Sequence, residues 1–173
     1  MQKYTLTARS LHWLMALGIP GLFALGVWMR ELDYYSPYYD PAPYWHKSIG
    51  IIMSALFVLR LIWRFLNPPP AALTNHKTWE KHLAHSLHIF FYAALAVVFI
   101  SGYLIATADN RGIPVFDLFE LPPLFSAFDG QEDIAGEVHE WAAWSIMAAA
   151  LLHAAGALKH HLIDKDSTLQ RML

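Results

Sequence analysis

The sequence predicts an all-α integral membrane protein, a four-helix bundle running up-down-up-down, and three observations carry the prediction. Of 173 residues, 56% are hydrophobic and 15% charged, too apolar for an ordinary soluble domain. The apolar residues gather into four long runs, each able to cross about 30 Å of hydrocarbon. Nine of the twelve Lys and Arg belong to the termini, the connector between runs two and three, or the adjoining run ends, whereas eleven of the fourteen acidic residues fall on the other side. The positive-inside rule then places both termini and that connector in the cytoplasm.

The spans are expected at about 11–29, 46–66, 82–107 and 138–161, forming one transmembrane domain over 1–173. The first, following Lys3 and Arg9, carries no charge; its length and the three later runs favour a retained anchor over a cleaved leader. Tyr34, Tyr35, Tyr38, Tyr39, Tyr44 and Trp45 follow, aromatics suited to a membrane–water boundary. The second span begins at His46 and stops at Asn67-Pro68-Pro69-Pro70. Arg64 near its end is positioned to snorkel, and Arg60, deeper, must reach the surface or find an anion. The third span opens with His82, His85 and His88, and an acidic, Phe-rich stretch expected along the interface leads to the fourth. His76, in the connector, is expected to be exposed, as is His161 at the end of the last span.

With no Cys, thiolate ligation is excluded and any metal must rely mainly on the ten histidines. His139 and His153 lie on one face of the fourth span, about 21 Å apart along the axis. The orientation sorts four histidines by depth into an inner pair, His12 with His153, and an outer pair, His46 with His139. Imidazoles on facing helices can hold a planar cofactor, and bis-imidazole ligation saturates a haem iron, leaving electron transfer as its chemistry. Small residues such as Ala142, Ala149, Ala154 and Gly156 would allow a macrocycle near the fourth span, and Gly50 would leave room beside His46. Arg60 and Arg9 are candidate propionate contacts, with snorkelling the alternative for Arg60. His85 and His88 begin at an inner depth close to that of His12, so either is an alternative partner for His153, or a quinone or propionate contact. His160 is placed to pass protons to a reduced quinone.

Several stretches together resemble the bacterial cytochrome b561 family of four-helix di-haem membrane proteins. They are Arg9-Ser10-Leu11-His12-Trp13-Leu14, Trp45-His46-Lys47-Ser48-Ile49-Gly50, Leu59-Arg60-Leu61-Ile62-Trp63-Arg64, Ala84-His85-Ser86-Leu87-His88, His139-Glu140, the segment from Leu152-His153 to His160-His161, and Asp166 to Met172. The resemblance covers nearly the whole chain and implies haem ligands at His12, His46, His139 and His153. It further implies two haem b groups, a multi-pass place in the bacterial inner membrane, and electron transfer to ubiquinone or another quinone near the cytoplasmic side. One branch of the family oxidises superoxide outside. The outer surface here is mostly acidic, which suits a cationic donor such as a soluble c-type cytochrome better than an anion, although Lys47 and Arg111 offer a local basic patch. Membrane lipid is an expected partner and nucleic acid is not. Two other readings are a haem b subunit of a larger dehydrogenase or hydrogenase complex and a haem-free membrane scaffold.

Overall fold

The computed structural model describes residues 2–71, 73, 76–125 and 128–173. Four long helices form the bundle: α1 (Leu6–Arg30), α2 (Pro41–Leu66), α3 (Thr78–Ala106) and α4 (Gln131–Leu162). All four are long and apolar enough to cross a membrane, and large side chains such as Leu17, Phe65 and Leu151 point outward, as a lipid-facing surface requires. The helices extend beyond the expected runs, and three of their starts carry residues suited to a helix N-terminus. Thr5 Oγ1 accepts from Ala8 N at 3.3 Å to start α1, Pro41 occupies the first turn of α2, and Glu80 accepts from Lys77 N at 2.9 Å to start α3. The chain enters α4 through Gly130, whose φ of 74° is a left-handed conformation suited to glycine. The buried Gln131 then ties α4 to α3, donating to Leu104 O at 2.8 Å.

Packing is uneven, and that unevenness positions the site. Helix α1 packs along α2 and α3 along α4, with α2 touching α3. Gly18 lets α1 approach the buried Met53 of α2, since a Cβ there would stand 2.6 Å from the Met53 methyl. Met15, Leu22, Met53, Phe57, Ala94, Leu95, Val98 and Ile146 form the central apolar cluster. Helix α4 approaches α1 and α2 mainly through side chains. Phe23 meets Trp144 with ring centres 4.7 Å apart, and Arg30 pairs with Glu140 at 2.7 Å.

The stretch expected along the interface contains a β-hairpin, β1 (Ile113–Val115) and β2 (Phe119–Leu121), antiparallel with Pro114 opposite Glu120. Its turn places Phe116 and Asp117 in left-handed backbone without the glycine that usually signals such a turn. The hairpin docks on α2: Ser48, fully buried, donates to Pro114 O and accepts from Phe116 N, each at 3.3 Å.

At the opposite end both termini meet, since Tyr4 N donates to Arg171 O at 3.1 Å. The tail folds across the bundle through a 3-10 turn (Leu169–Arg171). Buried Arg171 donates to Gln2 O at 3.0 Å and Ala71 O at 2.9 Å, Trp13 Nε1 to Met172 O at 2.8 Å, and Arg9 to Leu173 O. His76, expected to be exposed, is instead tucked under this tail, 2.8 Å from Asp166 Oδ2 and stacked on His160 at 4.3 Å. The tail returns to cover the connector, which the sequence alone gives no means to foresee. His161 also differs from the expected solvated position, because its Nδ1 is buried without a hydrogen-bond partner.

Burial pushes the Asp166 carboxyl up, but hydrogen bonds from the Thr168 side chain and backbone and from His76 outweigh it and hold the pKa at about 2. A carboxyl depressed on folding contributes stability above its unfolded pKa and loses it as pH falls through the folded value. Hydrogen exchange of residues 164–173 should therefore be insensitive to Asp166 above about pH 5 and accelerate as pH drops from about 4 towards 2.

Candidate functional site

The expected histidine pairs are brought together across α1–α4 and α2–α4, two helix pairs that do not pack closely. His12 on α1 faces His153 on α4 with ring centres 6.3 Å apart and planes inclined at 71°. His46 on α2 faces His139 on α4 at 6.2 Å and 70°. An imidazole nitrogen binds a metal ion at about 2.0–2.1 Å, so two imidazoles on opposite sides of one ion place their ring centres about 6 Å apart. Both pairs match that spacing, and the residues present fit bis-imidazole haem.

The surroundings of the second pair strengthen the fit. His139 Nδ1 lies 2.9 Å from Val98 O and 3.2 Å from Ser101 Oγ on α3. Donation from Nδ1 to the carbonyl fixes the tautomer and leaves Nε2 as the free ligand atom. Two glycines the sequence reading did not single out let the rings sit there. A Cβ at Gly26 would stand 3.2 Å from His46 Cε1, and one at Gly102 would stand 3.1 Å from His139 Cε1. An isolated glycine in a long apolar helical run is the signal that would have found them. At Gly50 a Cβ would meet nothing within 4 Å, so open space adjoins that turn of α2. Ser101 also donates to Val97 O at 2.8 Å, so Ser101→Ala should leave His139 on its carbonyl. The expected result is retained haem with affinity lowered by about 10-fold, read by haem transfer to apomyoglobin.

The end of the bundle that holds His12 and His153 is more crowded. His88 reaches His153 from α3 with ring centres 5.5 Å apart, and Phe91 packs on the same ring at 5.7 Å. His85 lies within electrostatic range of His88, and Arg60 within range of His12, His88 and His153. Arg60 and Arg64 have no hydrogen-bond or ion-pair partner among the described residues. Arg9 donates to Leu173 O and keeps a buried Nε without a partner. His160 is not at the paired histidines but in the tail cluster, its Nδ1 2.7 Å from Asp164 Oδ2. At the hairpin end Arg111 is paired with Asp109 at 2.5 Å, which removes most of its contribution to a basic patch, whereas Lys47 is exposed.

Comparison with known proteins gives a consistent pattern. The profile of the family described as "Prokaryotic cytochrome b561" matches residues 3–173. The chain is 43% identical over 172 residues to cytochrome b561 homolog 2 of Escherichia coli (strain K12), covering 99% of this chain and 92% of that protein. It is 25% identical to cytochrome b561 homolog 1 of the same strain, over 100% of this chain and 98% of the relative. It is 28% identical to a protein of Yersinia pestis named probable superoxide oxidase CybB, over 99% and 96% respectively.

Proposed function

The chain belongs to the prokaryotic cytochrome b561 family of membrane electron-transfer proteins, and from that premise we propose that it carries electrons through two bis-histidine haem b groups to a membrane quinone. The matched spacing of the two histidine pairs, 6.3 and 6.2 Å between ring centres, supports this reading most directly. His12 and His153 would hold one iron and His46 and His139 the other. When bound, haem would supply one-electron redox chemistry, and two imidazoles on its iron would leave no position for substrate. Helix α4 contributes a ligand to each site, so its length sets the distance an electron covers between them.

The chain's own groups do the rest. Arg60 and Arg9 supply positive charge for propionates at the end bearing the termini, where Arg60 has no hydrogen-bond or ion-pair partner among the described residues. The separation of 5.5 Å between His88 and His153 is short for two rings flanking one ion, which favours His12 as ligand and leaves His88, with His85, for a propionate or quinone contact. His160 is a further candidate quinone or propionate contact, placed to deliver protons at that end. The basic residues at the end bearing the termini orient it towards the cytoplasm. Electrons then enter at the hairpin end. Because Arg111 is neutralised there by Asp109, the acidic surface suits a cationic donor such as a soluble c-type cytochrome better than superoxide, the substrate named for the Yersinia relative. Stopped-flow reduction by ferrocytochrome c or by superoxide, followed by reoxidation with a ubiquinone analogue, tests the direction. Faster haem reduction by the cationic cytochrome than by superoxide and rapid reoxidation by quinone are expected; reduced haem indifferent to quinone would exclude it as acceptor.

A further inference from the structure

Away from the paired histidines, ligand-type side chains from three separate stretches converge beneath the tail. His76 of the connector, His160 of the last turn of α4 and Asp166 of the tail each place one ligand-type atom within 4.8 Å of the others. The closest approaches are 2.8 Å between His76 and Asp166 and 3.4 Å between His160 and Asp166, and these side chains are 16%, 15% and 6% exposed. We propose that His76, His160 and Asp166 form a binding site for one divalent transition cation of the Zn2+ class, which pins the connector and the tail to α4.

Two imidazoles and a carboxylate, with no thiolate, suit Zn2+, Co2+ or Ni2+ and not the all-oxygen preference of Ca2+ or Mg2+. Ligand atoms at about 2.0–2.1 Å from a tetrahedral ion stand about 3.3 Å apart, close to the separations from Asp166 observed here. The carboxylate is already oriented for the task. Its Oδ1 accepts from Thr168 N at 2.8 Å, leaving Oδ2 turned to both histidines. His160 Nδ1 is buried and, although 2.7 Å from Asp164 Oδ2, is not aligned to hydrogen-bond with it. A neighbouring group of Glu80, His160 and Asp164 has comparable spacing but is already filled by a cation, since Lys159 Nζ lies 2.6 Å from Glu80 and 2.7 Å from Asp164. No Lys or Arg contacts the His76–His160–Asp166 group among the described residues. Occupancy engages His160 Nδ1 and so competes with any proton delivery through that nitrogen.

The test uses haem-loaded, chelator-stripped full-length protein in detergent, dialysed to equilibrium against Zn2+, with zinc and haem quantified together. Wild type should bind one tight Zn2+ per chain, and His76→Ala and Asp166→Asn should each weaken it at least 10-fold while haem content and visible spectrum stay unchanged. If one variant loses its haem and hence its fold, the other decides. Absence of bound zinc above the protein-free compartment would overturn the proposal. So would equally tight binding by the variants, which would place the zinc on other histidines.

Discussion

Replacing His153 by alanine should halve the haem content of the purified protein and leave the His46–His139 site spectrally intact. No other side chain of α4 is placed to replace its imidazole, 6.3 Å from that of His12. His12→Ala should give the same half-loaded protein, whereas His88→Ala should retain both groups, because His88 approaches His153 more closely than two rings flanking an ion allow. Pyridine haemochrome quantification against protein concentration reads all three. Full loading in His12→Ala with half loading in His88→Ala would move the ligand from α1 to α3. Electron flow to quinone should stop in the His153 variant even though the surviving haem can still be reduced, since the break lies between donor and acceptor ends.

A comparable loss is expected from Gly102→Val, a change that removes no ligand. The new Cβ would stand 3.1 Å from His139 Cε1, and the branched methyl groups extend into the same space. The ring cannot retreat without giving up its contact with Val98 O at 2.9 Å, which fixes the tautomer presenting Nε2. The expected product retains the His12–His153 haem and loses the other, and Gly102→Ala should fall between it and wild type. Overpacking of this kind typically costs about 1–3 kcal/mol, so the remaining haem serves as an internal check that the bundle has formed. A Gly102→Val protein with both haems at wild-type affinity would show that α3 does not confine His139.

The contrast between His139 and Gly102 shows what the sequence could and could not convey. Four long apolar runs and a lopsided distribution of Lys and Arg are one-dimensional signals, so the four helices were legible. Membrane depth follows from chain position, so the nearness of His12 to His153 and of His46 to His139 was legible too. Which helices touch through backbone and which through side chains is not encoded that way. Gly26 and Gly102 acquire meaning only when His46 and His139 are seen lying against them. The hairpin escaped notice because its turn is formed by Phe116 and Asp117 in left-handed backbone, without glycine. The burial of His76 escaped for a related reason: its partner Asp166 lies 90 residues away in a tail whose composition looks solvated.

The most direct test is low-temperature electron paramagnetic resonance of the oxidised protein, combined with the ratio of haem to chain. Two bis-imidazole sites predict two haem b per chain and low-spin ferric signals only, one of which disappears in His153→Ala and the other in His139→Ala. A single haem per chain, or a high-spin ferric signal of an iron with an open position in the intact protein, would contradict the assignment of His12, His46, His139 and His153 as paired ligands.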